Sequence, residues 1–349
     1  MTYKPLIGIT MGDPAGIGPE IAIKAVLKKH IGNLCRPVLI GDAQVFKDTL
    51  AMLGLHQNIR SIGSIAEADF ETPGIQVLDL GSIDRNVVYG QVAASAGHAA
   101  FKAITTAIEL AMDQKLDATV TGPINKESLN LAGHTFSGHT EIYAHYTNTP
   151  EVAMLLVHGN LRVIHVTTHV PLKKACDLIK TRRIVRVVQL LAESCRMLGI
   201  YQPKLGIAGL NPHASDGGLF GTEEQQEIIP AIKELKVLGI DAEGPVPADS
   251  LFPKAVAGYY DGCVAMYHDQ GHIPFKLMGF TWDEKRGTMS SVKGVNVTLG
   301  LPIIRTSVDH GTAFEIAGKG IASQEAMIHA IEHAVNMAMH KMIKRDNNH

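Results

Sequence analysis

Short apolar, β-branched runs alternate along this chain with longer amphipathic stretches, and that alternation leaves few folds open. Strands are expected at 6–10, 37–41, 118–122, 161–168, 204–210 and 262–267. Helices are expected at 19–29, 93–115, 181–198, 222–238 and 324–344, with Asp216-Gly217-Gly218 as a turn and Thr222, Glu223 and Glu224 as an acidic helix start. The reading is an α/β protein with mostly parallel strands. At 349 residues the chain exceeds the size at which a single core keeps growing, so two domains are expected. No repeat or low-complexity linker separates them, which suggests ordinary crossings and a C-terminal segment that returns to the first domain. The first would comprise 1–125 with 305–349, and the second 126–304.

Lys and Arg total 32 against 34 Asp and Glu, so there is no basic footprint for nucleic acid or an anionic membrane. An anionic substrate must then be held by a few placed residues. Stretch 152–170 is the nearest approach to a membrane span, and His158, Asn160 and Arg162 interrupt it. Cys35, Cys176, Cys195 and Cys263 form no C-x-x-C pair, and the start MTYKPLIGIT has no basic region followed by an apolar one. The expectation is a cytoplasmic protein.

Three apolar strands each run into a histidine: LRVIHVTTH ends at His169, KLGIAGLNPH at His213 and GCVAMYHDQG at His268. In open α/β sheets ligands bind beyond the carboxyl ends of strands, so adjacent ends would aim three imidazoles at one point. Neutral imidazoles suit a divalent Zn, Co or Mn ion, with Asp269 and Asp249 nearby to tune it. A single strand-end histidine is more often a hydrogen-bonded structural residue; three together favour the metal.

Gly-His-Thr-Glu at 138–141 opens a helix, so His139 and Thr140 either clasp an anion at its N-terminus or serve as an ordinary cap. Arg305, crowded by apolar residues in LPIIRTS, suits a carboxylate or phosphate, whereas Lys276 either binds an anion or snorkels to the surface. Asn296 in GVNVTLG is a further polar candidate. GDPAGIGPE at 12–20 is not the G-x-G-x-x-G fingerprint. Gly311, Thr312 and Ala313, in DHGTAFEIAGKG, either admit a planar cofactor or make a tight turn.

Taken in order, GDPAGIGPE, TGPINK, SGHTE, TTHVPL, GLNPHASDGG, PADSLF, AMYHDQGH and GVNVTLGLPIIRTSVDHGTAFEIAGKG resemble the 4-hydroxythreonine-4-phosphate dehydrogenase family over nearly the full length. The resemblance implies a two-domain α/β/α architecture shared with isocitrate and isopropylmalate dehydrogenases. It also implies a homodimer whose active site is shared at the interface, with a metal cleft between two domains. His169, His213 and His268 would bind the metal (Zn, Mn, Co or Mg), one of them from the partner subunit. His139, Thr140, Lys276, Asn296 and Arg305 would bind substrate, Gly311, Thr312 and Ala313 would meet NAD or NADP, and Lys276 or Asp249 would move protons.

One departure bears on the substrate. Between the Gly-Phe at 279–280 and Gly294, where the vitamin B6 pathway enzymes are very short, this chain carries TWDEKRGTMSSVK. That form resembles a branch acting on 4-phospho-D-threonate or 4-phospho-D-erythronate, oxidised at C3 and decarboxylated to dihydroxyacetone phosphate. The alternatives are the vitamin B6 enzyme and a non-catalytic regulator that binds metal and phosphate.

Overall fold

Leu6–Thr10 (β1) is buried along its whole length, as a strand covered on both faces must be. In the computed structural model, which describes residues 3–83, 87–284 and 288–346, the chain divides into two compact units. One is Met1–Val152 with Ser291–Val295 and Leu301–His349; the other is Ala153–Ser290 with Asn296–Gly300.

The first unit joins β1 to Arg36–Gly41 (β2), Ile59–Ile62 (β3), Ile75–Asp79 (β4), Ala118–Thr121 (β5) and a strand late in the chain, Arg305–Val308 (β14). Their order is β3-β4-β2-β1-β5-β14, and every pairing is parallel. Side chains alternate between faces: Leu6, Val38 and Ile40 pack with Phe101, Ile104 and Ile108 of the helix Ala94–Met112. The helix Glu325–Asp346 packs on β5 and β14.

Residues 126–152, expected in the second domain, belong to the first unit. The Asn125 side chain caps the helix Lys126–Leu131 by accepting from the Ser128 amide. Ser128 in turn takes the Ala93 amide on its hydroxyl at 3.3 Å, and its carbonyl occupies the space a Cβ at Gly97 would need. Ile142 and Tyr143 complete the same core. The apolar side chains here find their partners on the helix that precedes them, which a boundary drawn at the end of β5 overlooked.

The second unit contains Ala153–His158 (β6), Leu161–His165 (β7), Leu205–Ala208 (β8), Ala242–Val246 (β9), Gly262–Ala265 (β10) and Val295–Leu299 (β13), ordered β13-β6-β7-β10-β8-β9. Phe280–Asp283 (β11) and Thr288–Val292 (β12) form a separate two-stranded ribbon within the long 281–293 segment. The interrupted run at 152–170 is an antiparallel hairpin, Leu155 opposite Ile164 and His158 opposite Leu161, that turns at Gly159 with φ +55°. The helix Thr181–Met197 covers the sheet with Ile184, Val187, Val188 and Leu191. Two helices that the sequence reading left out, Ala248–Val256 and His268–Gly279, each contain an internal proline, Pro253 and Pro274, which ordinarily argues against a helix. Among the described residues no helix is long and apolar enough to cross a membrane.

Candidate active site

β7, β10 and β8 are neighbours and run parallel, so the loops after them leave the sheet side by side. These loops carry the three histidines. The structure brings His169 and His268 together, with ring centroids 5.8 Å apart and planes tilted by 45°. The Asp269 carboxylate lies 2.7 Å from His268 Nδ1; an acceptor there puts the proton on Nδ1 and leaves the Nε2 lone pair for a cation. A cavity of about 340 Å³, lined by Thr168, His169, Pro171, Tyr267, His268 and Asp269, opens beside the pair.

His213 does not join them. It is exposed, and its ring neighbour is Phe220 at 6.3 Å. Among the described residues of a single chain, no three His, Cys, Asp or Glu side chains are grouped to hold a metal ion. His213, Ala214, Ser215 and Asp216 all have φ between +45° and +72°. The turn read at 216–218 therefore starts at His213 and is left-handed, at a cost of about 1–2 kcal/mol per non-glycine residue. Glu224 offsets part of it: fully buried, it accepts the amides of Leu210 and Asn211 at 2.8 Å each. The sequence places this residue in an acidic helix start.

Behind the pair lie two histidines that the sequence reading missed. His272 stacks on His268, centroids 3.7 Å apart, and its Nδ1 lies 3.1 Å from His165 Nε2. The i, i+4 spacing of 268 and 272 was the available signal. Burial, with His272 beside it, holds His165 down to about 3, and burial with the neighbouring His268 holds His272 down to about 4. An unfolded imidazole takes up its proton near pH 6.5. Between pH 6.5 and 3 the unfolded chain thus binds more protons at His165, and stability falls as pH falls. For metal-free protein, urea unfolding should show His165 contributing up to about 1.4 kcal/mol of lost stability per pH unit below 6. A His165→Asn protein with an unchanged slope would refute this assignment.

Lys276 is half-buried at i+8 from His268 on the same helix. Asp249 is exposed in the first turn of Ala248–Val256 and accepts from the Ser250 hydroxyl at 3.4 Å. Asn296 on β13 has a buried Oδ1 without a hydrogen-bond partner among the described residues.

The anion handles of the first unit form their own group. Arg305 starts β14 almost fully buried, its guanidinium donating to Thr121 Oγ1 at 2.8 Å and lying 5.6 Å over the Tyr143 ring. Burial pulls its pKa down to about 10, against the opposing influence of Tyr143 and Glu141. His139 and Thr140 begin the helix His139–Tyr146. Burial, and then Arg305, push the His139 imidazole well below its ordinary value, so it is neutral at pH 7; its buried Nε2 has no hydrogen-bond partner among the described residues. The two glycine-rich segments, far apart in sequence, are joined here: the Ile17 amide donates to the Thr312 carbonyl at 3.0 Å, and Thr312 leaves no room for a Cβ at Gly16. A Cβ at Gly311 would meet open space, and Ala313 has φ +45°.

Strand-end imidazoles and a buried guanidinium on an α/β scaffold suit an enzyme that acts on small molecules, and the relatives place the chain among dehydrogenases. The chain belongs to the family described as pyridoxal phosphate biosynthetic protein PdxA, which matches residues 33–334. It is 45% identical over 337 residues to the D-threonate 4-phosphate dehydrogenase of Cupriavidus necator, spanning 96% of this chain and 98% of that one. It is also similar to crystal structures of 4-hydroxythreonine-4-phosphate dehydrogenases. That from Burkholderia phymatum has a TM-score of 0.82 and 44% identity over 96% of this chain and 99% of the other. That from Klebsiella pneumoniae has a TM-score of 0.83 and 43% identity over 96% and 100%.

Proposed function

We propose that this chain is an NAD-dependent, metal-assisted dehydrogenase that oxidises 4-phospho-D-threonate, or 4-phospho-D-erythronate, at C3 and releases carbon dioxide to leave dihydroxyacetone phosphate. The observation that carries the reading is the His169–His268 pair with Asp269 fixing one ring beside a cavity. The choice of substrate is supported by the Cupriavidus necator relative named for it and by the segment that carries the ribbon of β11 and β12, whose sequence resembles the sugar-acid branch.

His169, His213 and His268 are the residues that would hold the cation, and their donor chemistry fits: neutral imidazoles, one already oriented by a carboxylate. Among the described residues a single chain does not group three donors, and a homodimer in which the partner subunit supplies one imidazole would complete the set. Gly311, Thr312 and Ala313 are the residues that would hold the nicotinamide cofactor; when bound, the cation would supply polarisation of the hydroxyl to be oxidised and the cofactor an acceptor for hydride.

The chain's own groups do the rest. Arg305 and His139 hold the phosphate, the guanidinium recovering part of its desolvation when an anion arrives, and the Thr140 amide adds a donor at the helix N-terminus. Asn296 Oδ1, buried and unpartnered among the described residues, accepts from a substrate hydroxyl. Lys276, half-buried on the helix that His268 opens, is the better placed proton carrier; Asp249 is exposed. As the free amine, Lys276 takes the C3 hydroxyl proton while the ketone forms. After the C1–C2 bond breaks with its electron pair on C2, it returns a proton there.

Phosphothreonate, phosphoerythronate and phosphohydroxythreonine should be offered with NAD and with NADP, following NADH formation and carbon dioxide together. The expected result is the highest kcat/KM with a four-carbon sugar-acid phosphate and NAD, with one carbon dioxide per NADH. Preference for phosphohydroxythreonine would replace this reading with the vitamin B6 one. Tight substrate binding without NADH would mark a regulator instead.

A further inference from the structure

We propose that Gln270 is a positioning residue that fixes the backbones of the two loops bearing His213 and His268 where they leave the sheet; the inference rests on the reading of those histidines as cation ligands. The β8–β10 ladder ends at the pair Ile207 and Val264. Just beyond it, the Gln270 side chain takes the place of the next rung. Its Oε1 accepts the Met266 amide at 2.7 Å and its Nε2 donates to the Gly209 carbonyl at 2.7 Å. One amide group thus joins the two backbones where they diverge toward His213 and His268.

Two further contacts make this rung a junction. The Met266 carbonyl accepts both the Thr167 amide at 3.2 Å and the Thr167 hydroxyl at 2.9 Å, which ties in the loop that leads to His169. On the other side Glu224 holds the Leu210 and Asn211 amides, so the chain entering the left-handed turn at His213 is fixed at three consecutive residues, 209 to 211. The chemistry admits glutamine alone at this length. A carboxylate would set an acceptor against the Gly209 carbonyl, a thioether would leave both backbone groups unpaired, and asparagine is one methylene short. Because the tied groups are backbone atoms, loss of the rung shifts whole loops; a ligand set held too loosely binds its ion poorly.

The test compares the full-length chain with Gln270→Met and Gln270→Glu. Three quantities are read: affinity for Zn²⁺ by titration calorimetry after chelator treatment, hydrogen exchange over residues 209–214, and kcat and KM for phosphothreonate. For Gln270→Met we expect Zn²⁺ affinity to fall by about 10- to 100-fold, as for other residues that orient metal ligands. Exchange at 209–214 should quicken, and kcat should fall much more than KM rises. Zn²⁺ affinity and kcat within twofold of the parent, with only a lower thermal midpoint, would make Gln270 a purely structural residue and overturn the proposal. Should Gln270→Met not fold, Gln270→Glu decides by the same readings, since it keeps the Met266 bond and faces the Gly209 carbonyl with an acceptor in place of a donor. A parent protein that neither binds Zn²⁺ nor forms NADH would instead sink the functional reading, and this inference with it.

Discussion

His213→Ala is expected to lower kcat/KM by about a thousandfold or more and to remove the bound divalent cation, because a three-imidazole site has no spare ligand. The fold should survive. The ring is exposed, and its ring neighbour, Phe220, lies 6.3 Å away, so little packing is lost; histidine and alanine both bear the left-handed backbone, and stability should fall by no more than about 1 kcal/mol. This histidine is the decisive one because the single chain leaves it apart from the other two while holding it in a left-handed turn. Backbone strain of that kind persists only where surrounding bonds maintain it, here those of Glu224 and of Ser215, whose hydroxyl accepts the Gly218 amide at 2.9 Å. Metal analysis alongside kinetics checks the prediction. Full activity in a metal-free His213→Ala protein would end the cation reading.

Arg305→Met should raise KM for the phosphorylated substrate by roughly 10- to 100-fold, the equivalent of one charge-assisted contact of about 1.5–3 kcal/mol. Stability should be unchanged or slightly higher. The guanidinium is almost fully buried and its pKa is held down by that burial, so the folded chain already bears the desolvation of a cation that methionine, of similar length, would not need. Arg305→Lys should rescue little: an ammonium cannot keep the bond to Thr121 and also present a planar pair of donors to a phosphate. Measuring phosphothreonate against unphosphorylated threonate separates the roles. Equal losses on both substrates would move Arg305 from the phosphate to the carboxylate.

Much of the architecture was legible residue by residue. β1 and β10 announce themselves as fully buried apolar runs, and the helix Thr181–Met197 by the period of its buried stripe, because these properties are local. The histidines after β7, β8 and β10 were visible for the same reason: each follows its own strand within a few residues. Adjacency was not visible. That β7, β10 and β8 are neighbours depends on pairings between segments tens of residues apart, and periodicity carries no record of a strand's partner. The same holds for Gln270, ordinary in AMYHDQGH until its amide meets Gly209, and for His165 and His272, which become a pair only across the helix and the strand beneath it. The assignment of 126–152 to the first unit was likewise decided by packing, where Ser128 meets Gly97 and Tyr143 enters a core built from distant strands. By itself the sequence determined the kinds of element and the chemical groups available. Tertiary structure decided which groups meet, because proximity is a product of strand order and close packing and neither is encoded within any one segment.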